Sequence, residues 1–123
     1  MIAVGTDILR IERIEQVHQR LGARFVTRIL TPAEQEEFAG SKRPQNLLAK
    51  RFAAKEAVAK CLGTGIGRGV SWHDIEITHD ANGAPGVQLS GGALIAARAR
   101  GGSRVLLSLA DEVDCVVAFA VLS

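Results

Sequence analysis

The chain has 123 residues, a formal net charge of +2 and 47% hydrophobic residues. This length fits one soluble domain, residues 1–123, whose core buries about two-thirds of the unfolded chain's surface. With one Trp, four Phe and no Tyr, the chain lacks the aromatic platforms on which single-stranded nucleic acid stacks.

Neither a targeting segment nor a membrane span is expected. Residues 1–7 contain no basic region and no long apolar run, so we expect no signal peptide. The longest apolar run, Cys115 to Leu122, is too short to cross a membrane. Cys61 and Cys115 have neither metal-ligand nor disulfide spacing and are predicted to be small buried apolar groups. A cytoplasmic location is the expectation.

The pattern of apolar and turn residues predicts a mixed α+β chain rather than regular βαβ units. A short strand over Ile2–Val4 is closed by Gly5-Thr6-Asp7, and Asp7 is placed to cap an amphipathic helix from Ile8 to Leu21. The later predicted elements are a helix from Thr31-Pro32 to Gly40, a long helix over Gln45–Leu62, a strand over Val70–Thr78, a hairpin return over Gly86–Leu89, a helix over Ala93–Arg100, and strands over Arg104–Ala110 and Cys115–Leu122. The last strand is apolar on both faces, which predicts burial in a sheet or at a subunit contact.

Basic residues cluster in two segments, which favours an anionic partner such as a phosphate, a nucleic acid or an acidic protein. The first thirty residues hold Arg10, Arg13, Arg20, Arg24 and Arg28, and a second group comprises Lys42, Arg43, Lys50, Arg51, Lys55 and Lys60. The alternative is an ordinary solvated surface of mixed charge.

The long helix carries the most informative motif. Helical spacing places Phe52, Glu56 and Lys60 in one row, and the helix ends in Gly63-Thr64-Gly65-Ile66-Gly67. A carboxylate, an ammonium group and a glycine-rich turn are the parts of a site for phosphate and a hard metal ion. The alternative for Glu56 is an exposed ion pair with Lys60, worth about 0.3–0.5 kcal/mol.

Other candidate motifs are weaker. The glycine run follows a helix and leads into a strand, the reverse of a dinucleotide-binding fingerprint, so we interpret it as a helix C-cap and turn. Three histidines (His18, His73, His79) and four serines (Ser71, Ser90, Ser103, Ser108) have no metal, triad or nucleophile spacing.

Asp7 is the second candidate ligand for a metal ion. Magnesium takes one or two protein carboxylates, keeps several waters and draws its other oxygens from substrate phosphates. Asp7 and Glu56, from distant segments, would suit that chemistry. The sequence leaves open whether the two carboxylates meet.

Three segments, taken in order, resemble the holo-[acyl-carrier-protein] synthase family, the small trimeric class of 4′-phosphopantetheinyl transferases. They are Gly5 to Ile8 with Arg13-Ile14, Arg24 to Thr31 before a glutamate-rich helix, and Leu48 to Lys60 continuing through Gly63 to Ile66. The strand Asp74 to Ile77 and the turn with Asp80, Gly83 and Pro85 also fit. The resemblance spans nearly the whole chain and implies a small mixed sheet packed against a long central helix and shorter helices.

The resemblance implies an activity and its participants. Coenzyme A donates its phosphopantetheine arm to a serine of apo-acyl carrier protein, and adenosine 3′,5′-bisphosphate is released. It implies a Mg²⁺ ion held by Asp7, Glu56 and the pyrophosphate of coenzyme A, in sites between neighbouring subunits of a homotrimer. Glu56 and Lys60 would be catalytic: Lys60 would offset leaving-group charge, and Glu56 or a water on the metal would take the serine proton.

The resemblance also assigns binding residues. Coenzyme A would contact Arg51, Lys60, Gly63, Thr64, Gly65 and Ser108. Because carrier proteins are acidic, the arginine-rich first helix is expected to dock them, through Arg13, Arg20, Arg24 and Arg28.

One position departs from the family pattern. Many members have Ser-x-x-His in the penultimate strand, whereas this chain has Ser108-Leu-Ala-Asp111, so no role of that histidine is carried over. Two rival functions are a non-catalytic module that binds coenzyme A or acyl carrier protein, and a nucleic-acid-binding domain. Retention of both carboxylates and Lys60 argues against the first, and low aromatic content and dispersed arginines argue against the second. The sequence does not indicate which carrier is preferred, fatty-acid or secondary-metabolic, or which acyl-coenzyme A donors are accepted.

Overall fold

The computed structural model describes residues 1–123. The helices are α1 (Ile11–Leu21), α2 (Ala23–Ile29), α3 (Pro32–Ala39), α4 (Pro44–Cys61) and α5 (Gly91–Ala99), with a 3-10 helix over Trp72–Asp74. The strands are β1 (Ala3–Arg10), β2 (Ile75–His79), β3 (Pro85–Leu89), β4 (Val105–Asp111) and β5 (Cys115–Leu122). The predicted α+β class and the long central helix are confirmed. The strands form two antiparallel sheets, one of three strands in the order β1-β5-β4 and one formed by β2 and β3.

The first strand is longer than its sequence suggests. β1 pairs with β5 along its whole length, from Ala3 opposite Leu122 to Arg10 opposite Cys115. The prediction that Gly5-Thr6-Asp7 closes the strand and that Asp7 caps the next helix is therefore wrong. Helix α1 begins at Ile11 without a side-chain cap, because pairing with β5 keeps the preceding residues extended.

Local capping signals were decisive at α3. The Thr31 hydroxyl accepts a hydrogen bond from the Glu34 amide, and the Glu34 carboxylate accepts one from the Thr31 amide, which forms a capping box. Pro32 at the first helical position completes the predicted helix start. The helix predicted to end near Gly22 does so, and helical structure resumes at Ala23.

The predicted strand over Val70–Thr78 is only half correct. Asp74 accepts a hydrogen bond from the Ser71 amide and donates its own amide to the Ser71 carbonyl. These local bonds form the 3-10 turn and delay the strand to Ile75.

Helix α4 lies at the centre of the molecule. Ten of its eighteen residues are buried. Eight of them, all except Arg51 and Lys55, belong to one hydrophobic cluster that draws on both sheets and on α1, α2 and α5, with Phe38 of α3 packed against it. Its contact with β1 depends on Gly5, since a Cβ atom there would lie 2.1 Å from the Ala57 carbonyl oxygen and 2.8 Å from the Cys61 amide. Cys61 is buried and Cys115 is half-buried, and both are free thiols.

The outer face of the three-stranded sheet is apolar and exposed. Strand alternation and pairing place mainly apolar side chains on this face: Val4, Ile8, Leu106, Ala110, Val117, Phe119 and Val121, with the hydroxyl residues Thr6 and Ser108 and, at one end, Arg10 and Cys115. Ile8 is 72% exposed and Phe119 is 41% exposed in the single chain. The predicted burial of β5 in a sheet therefore holds for its inner face only, and the alternative, a subunit contact, stays a prediction for its outer face.

No helix of the structure has the length and apolar character that a membrane span requires. The cytoplasmic location stays a prediction.

The close contact between β1 and α4 predicts a specific sensitivity to substitution. Gly5→Ala should lower the free energy of unfolding by about 1–3 kcal/mol or more, because the added methyl overlaps backbone atoms of α4. Urea denaturation measures this change. Gly40→Ala is the matched control: its Cβ would meet nothing closer than 3.8 Å, so its stability should change by about 0.5 kcal/mol or less. Equal stability of the two variants would contradict this account of the contact.

Candidate active site

Asp7 and Glu56 reach the same place from two different elements. Asp7 lies in the middle of β1, on the face of the sheet that covers α4, and its side chain is 17% exposed. Glu56 lies half-buried on α4. The charge of Asp7 acts on Glu56: burial first, and then the charge of Asp7, raises the pKa of Glu56.

Lys60 joins Asp7 and Glu56 in this cluster by two contacts with β1. Its ammonium group donates hydrogen bonds to the Thr6 carbonyl at 2.8 Å and to the Asp7 carboxylate at 3.2 Å. The alternative of a Glu56–Lys60 helix ion pair is therefore wrong, because the salt bridge of Lys60 is with Asp7. Lys60 still lowers the pKa of Glu56 by its charge, although less than burial and Asp7 raise it. The Lys60 side chain is 51% exposed, which leaves its ammonium group accessible to an anion.

The glycine-rich exit of α4 lies one turn beyond Lys60. Gly63 and Gly65 adopt positive φ angles of 78° and 64°, which glycine tolerates without strain. The Gly63 amide donates a hydrogen bond to the Lys60 carbonyl at 3.0 Å, and the Gly65 amide donates one to the Ala59 carbonyl at 3.1 Å. The predicted helix C-cap is therefore confirmed. The Thr64 hydroxyl bonds the Gly65 carbonyl at 2.8 Å.

Arg51 lies in a different environment from this cluster. It precedes Glu56 by five residues, or about 7.5 Å along the helix axis, and points to another side of α4. Its guanidinium group is buried and donates a hydrogen bond to Glu37 at 3.0 Å. It lines a cavity of about 300 Å³ together with Glu37, Ser41, Arg43, Asn46, Leu47, Lys50 and His79. Burial and the charge of Arg51 lower the pKa of His79, in keeping with a basic cavity.

Asp111, at the position where many family members have histidine, faces the same region. It accepts a hydrogen bond from Asn46 at 3.3 Å and forms a salt bridge with Lys50 at 3.3 Å. The Asn46 hydrogen bond and then Lys50 lower the pKa of Asp111. Asp111 therefore ties the end of β4 to α4, a contact that the sequence did not reveal.

Ser108 lies on the opposite side of the sheet from Asp7. Ser108 is paired with Phe119, which is paired with Thr6, and all three are on the outer face. Asp7 belongs to the next row, with Ala118 and Leu109, on the inner face. One ligand cannot contact Asp7 and Ser108 of the same chain directly through the sheet.

The four arginines of the predicted docking surface are exposed and carry no salt bridge. Arg13 and Arg20 lie on α1, and Arg24 and Arg28 on α2. Arg13 also lines a cavity of about 430 Å³ with Ile8, Leu9, Arg10, Asp114 and Cys115.

Comparisons with known proteins identify the family of this chain. The model of the 4′-phosphopantetheinyl transferase superfamily matches residues 3–114. A holo-[acyl-carrier-protein] synthase from Shewanella amazonensis is 54% identical over 122 residues, which cover 99% of this chain and 98% of that protein. The chain belongs to the holo-[acyl-carrier-protein] synthase family. The resemblance in the three sequence segments is thus confirmed.

Solved structures of the family share the whole fold. The crystal structure of the holo-[acyl-carrier-protein] synthase from Neisseria meningitidis superposes with a TM-score of 0.93 at 47% identity, covering 100% of this chain and 99% of that one. The Helicobacter pylori holo-[acyl-carrier-protein] synthase, solved in complex with coenzyme A, has a TM-score of 0.84 at 30% identity, covering 98% of this chain and 99% of that one.

Proposed function

We propose that this chain transfers the 4′-phosphopantetheine arm of coenzyme A to a serine hydroxyl of an apo-acyl carrier protein. The products are the holo-carrier protein and adenosine 3′,5′-bisphosphate. Family membership over the full length supports the reaction class. The observation that carries the proposal for this chain is the meeting of Asp7, Glu56 and Lys60, which come from two distant segments.

The residues of the cluster suit a magnesium ion. Asp7 and Glu56 supply two carboxylates at one place, and no third His, Cys, Asp or Glu joins them. That donor set fits magnesium, which takes few protein ligands and completes its shell with water and substrate phosphate. Magnesium bound there would polarise the transferred phosphoryl group and neutralise charge on the pyrophosphate.

Lys60 and Glu56 would have separate roles in the reaction. The Lys60 ammonium would bind the pyrophosphate and offset the charge that develops on the leaving group. Glu56, which forms no salt bridge, or a water on the metal would accept the proton of the carrier serine. We assign Gly63, Thr64, Gly65 and Arg51 to coenzyme A binding: the glycine turn allows close approach beside Lys60, and Arg51 adds charge in the neighbouring basic cavity.

A homotrimer would explain how Ser108 could contact coenzyme A although it lies on the opposite face of the sheet from Asp7. The outer sheet face exposes a continuous apolar surface, which soluble monomers rarely present. If this face packs against other subunits, Ser108 lies at the subunit boundary, where it can contact a coenzyme that a neighbouring Asp7–Glu56 cluster holds. This is why we place the active site between subunits.

We assign carrier-protein docking to Arg13, Arg20, Arg24 and Arg28. Their guanidinium groups are exposed and free of internal salt bridges, so an acidic helix can pair with them without breaking existing contacts. Arg13 is the closest of the four to the cluster along the chain, because α1 follows β1 directly.

A mass-spectrometric assay tests the activity. The protein is mixed with apo-carrier, coenzyme A and magnesium, and one added phosphopantetheine arm is expected on the carrier. Glu56→Gln should reduce turnover by about 100-fold or more, since it removes a metal ligand and a candidate proton acceptor together. Glu36→Gln, an exposed glutamate on α3, is the control and should match wild type.

Each outcome of this assay has a distinct meaning. No added mass with several carriers, combined with measurable coenzyme A binding, would favour the non-catalytic module. Turnover by Glu56→Gln close to wild type would refute the role of Glu56 while leaving the reaction class intact. Omission of magnesium should have the same effect as Glu56→Gln.

Charge reversal tests the docking surface. Arg13→Glu should raise the KM for carrier protein by about 10-fold or more, because it replaces an attraction by a repulsion, and should leave the KM for coenzyme A nearly unchanged. Arg98→Glu is the control, since Arg98 is an exposed arginine on α5 that the proposal leaves out. Equal effects of Arg13→Glu on both KM values would count against docking at α1.

Solution mass tests the trimer. Sedimentation equilibrium of the wild type should give three times the chain mass of 13.1 kDa. Phe119→Lys places a charge in the centre of the outer face and should shift the mass to that of the monomer. Ile95→Lys, a charge added at an exposed apolar position of α5, should leave the trimer intact. A monomeric wild type at micromolar concentration would rule out the assembly.

A further inference from the structure

The core contains a buried salt bridge, between Lys55 and Glu34, that the reaction does not use. Lys55 is 0% exposed, and its ammonium group donates to the Ile29 carbonyl at 2.7 Å, the Glu34 carboxylate at 2.6 Å and the Trp72 carbonyl at 3.1 Å. An ammonium group has three donors, so all of them are used. Lys55 therefore joins α4 to the end of α2, to α3 and to the 3-10 helix.

Glu34 extends the same network to the second sheet. Its side chain is 0% exposed, and one oxygen accepts from both Lys55 and the Thr31 amide, the latter at 2.8 Å. The other oxygen accepts from the Ile77 amide of β2 at 2.9 Å. Two buried side chains thus fix five elements relative to one another.

The position of α4 needs such directional contacts. Its buried surface is built largely from alanines at 49, 53, 54, 57 and 59. Methyl groups form shallow ridges, which resist rotation and sliding of a helix less than large interdigitating side chains do. A buried ion pair is an inefficient source of stability, because its desolvation offsets most of its attraction. Its directional bonds instead specify one orientation of the helix.

That orientation matters for the candidate active site. Glu56 follows Lys55 directly, and Lys60 lies on the same helix. A rotation of α4 by about 20° would move side-chain atoms about 2 Å, given a helix radius with side chains of roughly 5–6 Å. Displacements of about 1 Å at a reacting centre can reduce rates by about 100-fold.

We propose that Lys55 and Glu34 are positioning residues, which set the rotation of α4 that directs Glu56 and Lys60 toward Asp7. The inference rests on the proposed function for its effect on rate, but its structural part does not. The rival explanation is that the pair contributes only to stability.

Two variants separate these explanations. Lys55→Met alone would leave the Glu34 carboxylate buried without its cation and is prone to unfold, so it is combined with Glu34→Gln, which removes both charges. Glu34→Gln alone leaves the Lys55 charge unpaired, but the ammonium group keeps its Ile29 and Trp72 carbonyl acceptors and can still donate to the new amide oxygen. Val105→Ala, which deletes buried side-chain volume on β4, is the control for loss of stability without a change at α4.

The measurements are kcat, both KM values and a crystal structure of each variant. We expect kcat to fall about 10- to 100-fold in the double variant and less in Glu34→Gln. The KM for carrier protein should change much less than kcat, since Arg13 and Arg20 lie on α1, which the pair does not contact. In the crystal structure, the Lys60–Asp7 contact of 3.2 Å should lengthen beyond salt-bridge distance. Val105→Ala should lower the thermal midpoint while keeping both kcat and the contact.

The outcomes are decisive in either direction. Wild-type kcat in the double variant, or an unchanged Lys60–Asp7 contact, overturns the proposal. If the double variant does not fold, Glu34→Gln decides by the same two criteria. If the wild type shows no transfer at all, the proposed function fails, and the Lys60–Asp7 distance still judges the positioning role.

Discussion

The close contact between β1 and α4 at Gly5 is the constraint on which the other features depend. A side chain at that position would overlap the helix backbone, so only glycine lets the strand approach the helix this closely. The approach brings the β1 backbone within reach of Lys60, which bonds the Thr6 carbonyl and the Asp7 carboxylate. It also places the Asp7 charge beside Glu56. The candidate active site therefore results from backbone packing before any ligand is considered.

The chemistry follows from two opposite demands on α4. Its inner surface must be smooth and small to lie under the sheet, which accounts for the alanines and for Gly5 opposite them. Its functional side chains must nevertheless have one fixed direction. The two demands are met by different residues, because the alanines allow close packing and the Lys55–Glu34 pair, in our proposal, supplies direction.

Sequence reasoning succeeded where the signals are local. Thr31-Pro32 with Glu34 fixed the start of α3, and the glycines after α4 fixed its end, because capping is decided by neighbours in the chain. It failed at β1, because the extent of that strand is set by pairing with β5, more than a hundred residues away. The pairing of Lys60 with Asp7 rather than Glu56 was missed for the same reason. The buried state of Lys55 was also missed, since a lysine in a helix normally indicates an exposed surface. Asp7, Glu56 and Lys60 were singled out from residue type and spacing, and the resemblance supplied their roles and the coenzyme-binding residues. The meeting of the three side chains in space is what the structure adds.

The alternation of β5 has a consequence for how this chain can vary. Val116, Ala118 and Ala120 point into the core and are fully buried, so any change in their volume acts on the folding of a single chain. Val117 and Phe119 alternate with these residues along the strand, face outward and are not part of that core. In the proposed trimer, those two positions are constrained instead by packing between subunits. Adjacent residues of one strand would thus be under separate constraints, one on tertiary structure and one on assembly. A substitution on β5 could then leave every chain well folded and yet leave the active sites incomplete.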